Sequence, residues 1–230
     1  MTRLPLPVRE ALAGALALAF PVECAGCGAV DVTLCGLCRA TLAPSVRRQR
    51  LETGLPVWSG LAFEGVAARV VRALKEDGRT ALARDLAPAL LGAVVAGLDD
   101  HAAEAARGVT LVPLPTSRAA FRRRGYRVVE LVAHRAGVHV EPLLHGVRGT
   151  ADQRGLGRDE RRRNVAGSLS APPSVGLRVM ILDDVVTTGA TLAEAERALR
   201  HAGADVVGAA TIAATTRRGE RGVNTLRTHA

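Results

Sequence analysis

A single lysine, Lys75, stands among the 31 lysine and arginine residues of this 230-residue chain. Aromatic residues are nearly as scarce, with Phe20, Trp58, Phe63, Phe121 and Tyr126 making up 2% of the total. Proteins that hold single-stranded nucleic acid without sequence preference stack bases on aromatic side chains, and so few scattered rings build little of such a platform. Long apolar runs are missing as well. The run from Ala11 to Val22 is about a dozen residues, short of the roughly 20 needed to cross a bilayer, so no membrane insertion is expected. It has the look of a signal-peptide core, but Pro5, Pro7, Arg9 and Glu10 interrupt the stretch before it and cysteines follow at once. Residues 8–19 are therefore expected to form a small apolar helix docked on a core, in a reduced, cytoplasmic protein. A chain that is 48% hydrophobic and 23% charged is also not a disordered one.

What is abundant is arginine. The formal net charge is +9 and the pI is near 10.9, which points to contact with a polyanion, either nucleic acid or a phosphorylated metabolite. Residues 118–163 hold twelve arginines against five acids, so +7 of the excess is concentrated there.

Along the chain, residues 1–50 carry all four cysteines and end in PSVRRQR, which reads as a linker. Residues 51–216 read as the main domain and 217–230 as a frayed tail. Leu55–Phe63 is expected to be a strand pair. VAARVVRALKEDG is expected to be a helix with Val66, Val70, Val71 and Leu74 on one face and Gly78 as its stop, and residues 80–97 a second helix. From 109 on, strands alternate with helices. VTLVPLP, VHVEPLL, LRVMILDDV and VVGAATIAA read as strands. FRRRGYRVVELVAHRAG begins as a basic loop and becomes a helix with Val128, Leu131 and Val132 inward. ATLAEAERALRHAGA is an amphipathic helix closed by Gly203, and residues 146–168 are polar and aperiodic. The fold class implied is α/β, a mostly parallel sheet flanked by helices, with a small N-terminal zinc-binding segment.

Cys24, Cys27, Cys35 and Cys38 form C-x2-C-x7-C-x2-C. Paired thiolates at this spacing can converge on one tetrahedral ion, and four sulfurs close the shell with no position left for substrate. A structural Zn²⁺ is the expected occupant. An iron–sulfur cluster, two disulfides and unpaired core thiols are the alternatives.

The second constellation is VMILDDVVTTGAT, residues 179–191. A buried strand delivers Asp183 and Asp184 at its end, and Thr187, Thr188, Gly189, Ala190 and Thr191 open the next helix. Backbone N–H groups, hydroxyls and a helix N-terminus around one point suit a phosphate monoester, with Gly189 letting the backbone come close to the ligand. The carboxylates would face hydroxyls or a metal. A phosphate cradle beside a diol-binding acid pair describes a ribose 5-phosphate site.

This string resembles the 5-phosphoribosyl-1-pyrophosphate (PRPP) loop of type I phosphoribosyltransferases. VPLPTSRAAFRRRGY, residues 112–126, resembles their pyrophosphate loop. Thr150, Gln153, Leu156, Arg161 and Asn164 stand in the spacing T-x2-Q-x2-L-x4-R-x2-N. Together with the four cysteines and the RRRGY segment, from about Pro21 to Thr215, the chain resembles the ComF family of phosphoribosyltransferase-like proteins. That family is associated with natural competence. One departure stands out: the family continues the Arg-Gly-aromatic segment with Asn-Gln, where this chain has Arg127 and Val128.

The resemblance implies displacement of pyrophosphate from C1 of PRPP by an acceptor, with Mg²⁺ on the pyrophosphate. Asp183 and Asp184 would take the ribose hydroxyls as the catalytic pair, and residues 187–191 the 5-phosphate. Ser117, Arg118, Arg122 and Arg124 would meet pyrophosphate, and a lid would carry Gln153, Arg161 and Asn164. Thr187 stands where 6-oxopurine-salvaging relatives carry an aspartate, which disfavours that acceptor, and no cysteine is placed to hydrolyse glutamine. The acceptor and the oligomeric state are not legible in the sequence. The alternative is a non-catalytic accessory protein that uses the same cradle to bind nucleotide or single-stranded DNA, with competence proteins as partners.

Overall fold

A computed structural model describes residues 22–101, 108–147 and 166–215. Within them the elements run α1 (Gly36–Ala40), β1 (Arg47–Arg50), β2 (Pro56–Ala62), α2 (Gly65–Glu76), a 3₁₀ turn (Thr80–Leu82), α3 (Ala83–Asp99), β3 (Val109–Pro113), α4 (Arg118–Arg124), α5 (Val128–Arg135), β4 (His145–Gly146), β5 (Leu169–Ser170), β6 (Arg178–Val186), α6 (Ala190–His201) and β7 (Asp205–Ala214). The main sheet has the order β1-β2-β7-β6-β3. β1 is antiparallel to β2, and the remaining neighbours are parallel. This is the expected mostly parallel α/β sheet.

Strand β6 explains the layering. Val179, Met180, Ile181 and Leu182 are all fully buried, and an unbroken apolar run of this kind needs cover on both faces of the sheet. On one face Met180 and Leu182 pack with Val70 and Leu74 of α2, Leu86 and Leu90 of α3, and Val132 of α5. On the other, Val179 and Ile181 pack with Leu192, Ala195 and Leu199 of α6 and with Leu51 and Leu55. The chain therefore leaves β3 toward one face and the adjacent β6 toward the other. Parallel sheets bind ligands at such a reversal, in the crevice beyond the carboxyl ends of the strands.

Several expectations are corrected. The expected linker, PSVRRQR, contains an edge strand: the Ser45 N–H donates to the Gly60 carbonyl at 2.8 Å, and Arg47–Arg50 pairs with β2. Leu55–Phe63 supplies one strand, not a pair. VHVEPLL forms no strand, although the Glu141 N–H still reaches the Leu111 carbonyl at 2.9 Å. The start of the basic segment is a helix, α4, which Ser117 caps and Gly125 ends. Thr80–Asp99, at a mean hydropathy of 1.5, is long and apolar enough to cross a membrane, a length that the run at Ala11–Val22 lacks. Its burial is that of a core helix: Leu86, Ala89, Leu90 and Ala93 have no exposed surface. The expected helix at 8–19, most of the polar stretch at 146–168 and the tail lie outside the described residues.

Helix α3 sits so close to β2 that a Cβ at Gly60 would lie 2.1 Å from the Ala89 carbonyl oxygen. Backbone cannot yield as a flexible side chain can. Gly60→Ala is therefore expected to destabilise the fold by about 2–3 kcal/mol, read as a lower urea midpoint at an unchanged slope.

Candidate functional site

The apolar run of β6 ends in two carboxylates that the structure treats differently. Successive strand residues point to opposite faces. Asp184 meets Lys75 of α2, with Nζ to Oδ2 at 2.8 Å. Asp183 accepts the Asp184 N–H at 2.7 Å and lies in register with Thr211 of β7. Thr211 and Ser59 share a buried hydroxyl contact of 2.7 Å beneath this edge. Burial pushes the Asp183 carboxyl up to about 8, and repulsion from Asp184 adds to this, while the Asp184 N–H and Lys75 pull it down.

Past Val186 the loop exposes Thr187 and Thr188, and Thr191 is exposed in the first turn of α6. The Ala190 N–H donates to Thr188 Oγ1 at 3.3 Å, and no acid stands in that turn, so the helix start presents positive dipole to an anion. Gly189 has a φ of +80°, which favours glycine, and a Cβ there would lie 2.5 Å from Leu51 Cδ2, so the position also packs closely on the 51–55 loop. That loop is fastened to α6 by Thr53 Oγ1 donating to Glu196 Oε2 at 2.7 Å. Behind the threonine loop lies a cavity of about 220 Å³, lined by Leu51, Thr53, Gly189, Glu194 and Arg197 among others.

Across the reversal, the Leu114 N–H donates to the Leu182 carbonyl at 2.9 Å, which brings the segment after β3 alongside the end of β6. Ser117 Oγ accepts the Ala120 N–H at 3.2 Å, and Arg118 and Arg122 are exposed on α4, with Arg124 half-buried. Tyr126 donates its hydroxyl to the Leu74 carbonyl, tying this segment to α2 beside Lys75. Arg127, at the position of the departure noted above, stacks on Phe121 at 5.6 Å and pairs with Glu130 at 3.1 Å. Thr150, Gln153, Leu156, Arg161 and Asn164 lie outside the described residues. Lys75 has no local signal in the sequence beyond being the lone lysine. Only the packing of α2 on the sheet brings it to the acids.

The four cysteine sulfurs lie within 4.8 Å of one another, and none is in a disulfide. Zinc–sulfur bonds near 2.3 Å in a tetrahedron set sulfurs about 3.8 Å apart. Cys27 Sγ and Cys35 Sγ are 3.7 Å apart. The N–H groups of Gly26 and Cys35 point at Cys24 Sγ at 3.4 and 3.3 Å, as donors that stabilise thiolate. Burial alone would push the Cys24 thiol up, but N–H donors from Cys35, Cys27 and Gly26 bring it down to about 6. Burial and the neighbouring sulfurs push Cys38 up to about 12. The set fits a thiophilic ion such as Zn²⁺. The cluster is moored to the domain by Arg69, whose Nε donates to the Gly26 carbonyl, and by Arg79, whose Nη2 donates to the carbonyls of Glu23 and Thr33 at 2.6 and 2.8 Å.

Comparison with known proteins matches residues 120–225 to the phosphoribosyl transferase domain. The chain is 32% identical over 187 residues to the DNA utilization protein YhgH of Salmonella typhimurium, covering 76% of this chain and 82% of that one. It is 30% identical over 106 residues to competence protein F of Haemophilus influenzae, covering 42% of this chain and 46% of the relative. An adenine phosphoribosyltransferase of Parafrankia sp. is 36% identical over 131 residues, with coverage of 54% and 64%.

Two tests follow from this geometry. A Cβ at Gly26 would lie 2.4 Å from Cys38 Sγ, so Gly26→Ala is expected to purify with well under one equivalent of zinc by elemental analysis. The second concerns Asp183, whose folded form holds its proton up to about pH 8 against an ordinary value of 3.8. The folded state binds the extra proton between those values, so wild-type stability falls as pH rises through that window. An amide has no such term. Asp183→Asn should match wild type near about pH 4 and melt increasingly above it toward about pH 8.5.

Proposed function

The chain belongs to the ComF family, and from that membership we propose that it binds PRPP and transfers the phosphoribosyl group to an acceptor with release of pyrophosphate. One observation carries the reading. At the β3–β6 reversal, an acid pair and a threonine-lined helix start stand beside an arginine-bearing helix. The division of labour follows from charge. The loop of Thr187, Thr188, Gly189, Ala190 and Thr191 offers N–H groups and hydroxyls to the 5-phosphate. Asp184, ion-paired with Lys75, carries the negative charge that repels phosphate, and both acids can hydrogen-bond ribose hydroxyls. Ser117, Arg118, Arg122 and Arg124 face the pyrophosphate, with Gln153, Arg161 and Asn164 assigned to a lid.

In the reaction the bond from C1 to the acceptor forms as the bond from C1 to the pyrophosphate oxygen breaks, and the acceptor's proton leaves to solvent or a base. Negative charge grows on the departing group, where fixed arginines gain most in the transition state. Mg²⁺ bound together with PRPP would supply further neutralisation of that charge. Because Lys75 already engages Asp184, the acid pair is better read as a ribose site than as a cation cage. Zn²⁺ at Cys24, Cys27, Cys35 and Cys38 is read as structural, since four sulfurs leave no open position, and cysteines free of disulfides go with a reducing, cytoplasmic setting.

A second reading is favoured by the names of the relatives, DNA utilization protein and competence protein: the same cradle would hold a nucleotide or the end of single-stranded DNA in an accessory role.

Calorimetry with PRPP and Mg²⁺ separates the two readings. Wild type should bind, and Asp183→Asn with Asp184→Asn should bind at least about 10-fold more weakly, the scale of a lost charge-assisted hydrogen bond. Pyrophosphate release across a panel of amines and bases then distinguishes transfer from binding alone. Absence of PRPP binding, with DNA affinity falling steeply as salt rises, would establish the second reading instead.

A further inference from the structure

Lys75 is the one cation of its kind in a chain that otherwise uses arginine, and it sits on the proposed ribose site. Its side chain is 27% exposed, less than that of any arginine in the described ion pairs. The helix that carries it is fastened at several points. Leu74, beside it, is fully buried, and its carbonyl accepts the Tyr126 hydroxyl. Arg69 on the same helix and Arg79 just beyond it grip the cysteine segment.

The choice of ammonium over guanidinium has a geometric consequence. Arg197 shows what an arginine does to a carboxylate in this protein: its Nε and Nη2 take both oxygens of Glu194, each at 2.8 Å. Lys75 engages Asp184 through Oδ2 alone, and among the described residues no other hydrogen bond reaches that carboxylate. A point charge with rotatable donors can fix one oxygen and leave its twin free, which a rigid fork does not do.

We propose that Lys75 is a positioning residue of the site: by holding Asp184 through Oδ2, it orients the carboxylate and leaves Oδ1 to accept from the ribose hydroxyls, so that the site selects a vicinal diol. This rests on the PRPP reading and extends it to the sugar that the site discriminates. A purely structural ion pair between α2 and β6 would be served equally well by arginine, which restores the charge and the contact.

The test exploits the lone lysine. In the full-length protein grown on lysine labelled at Cε and Nζ, the side-chain spectrum contains one lysine resonance and therefore reports Lys75 without assignment. Titration with PRPP and Mg²⁺ should move that resonance along the calorimetric isotherm. Ribose 5-phosphate should outcompete 2-deoxyribose 5-phosphate. Lys75→Arg should keep the wild-type melting temperature, bind PRPP about 10-fold more weakly and lose most of that sugar discrimination. PRPP binding with an unmoved lysine resonance, or wild-type affinity and discrimination in Lys75→Arg, overturns the proposal and leaves the PRPP reading standing. No PRPP binding to the wild type overturns both. The resonance is read on the wild-type protein, so a poorly folding variant does not remove the test.

Discussion

The burial of strand β6 on both faces is the constraint from which the rest of this structure follows. Val179 to Leu182 require helices above and below, and only a sheet with α2, α3 and α5 on one side and α6 on the other supplies them. The chain must then depart from β3 and β6 in opposite directions, which opens a crevice at their carboxyl ends. The residues that come next in β6 are Asp183 and Asp184, and the apolar run thereby lifts two carboxylates to the mouth of that crevice. The cost is local. A carboxyl pushed up to about 8 by burial and a neighbouring charge is a poor contribution to folding, and such strain is commonly kept where function requires it.

Helix α2 joins this mouth to the cysteine segment. A four-cysteine knuckle is too small to own a core, and here it borrows one: Cys24 and Cys38 belong to the same apolar cluster as Val70 and Leu74. Arg69 and Arg79 add polar moorings to its carbonyls. The same helix presents Lys75 to Asp184 and accepts Tyr126 on its backbone. A four-cysteine segment that ends at Cys38, 145 residues before Asp183 in sequence, thus shares one rigid element with the acid pair. No intermediate loop has to carry the connection.

How much of this was legible in the sequence depends on the range of the interaction. The β6 strand, its acids and the threonine loop could be read because an apolar run, a carboxylate pair and a helix start are contiguous. The cysteine cluster could be read because its spacing encodes the ion's geometry. Local signals failed where a partner decided the outcome. PSVRRQR carries the proline and charge of a linker, yet β2 recruits its arginines as an edge strand, a place where charge is tolerated. Gly189 reads in the sequence as clearance for a ligand, and the added constraint of Leu51, distant in sequence, has no local signal. Lys75 became a candidate only when α2 was laid on the sheet.

The arginine excess also changes meaning once its contacts are known. Arg39, Arg178, Arg197 and Arg200 pair with acids, and Arg69 and Arg79 bind carbonyls, so much of the positive charge is structural. Arg48, Arg72 and Arg127 lie over Trp58, Phe63 and Phe121 at 5.5, 5.6 and 5.6 Å. These are three of the five aromatic rings in the chain, and the hydroxyl of a fourth, Tyr126, is spent on the Leu74 carbonyl. Stacking of bases requires open ring faces. A ring that already carries a guanidinium on one face offers little of that, whereas Arg118 and Arg122 are exposed on the helix that follows β3, the neighbour of β6, and under the proposed function meet a compact phosphorylated ligand. The same scarcity of aromatics and local excess of arginine that first suggested an anion of unspecified kind thus favours a small one over an extended strand.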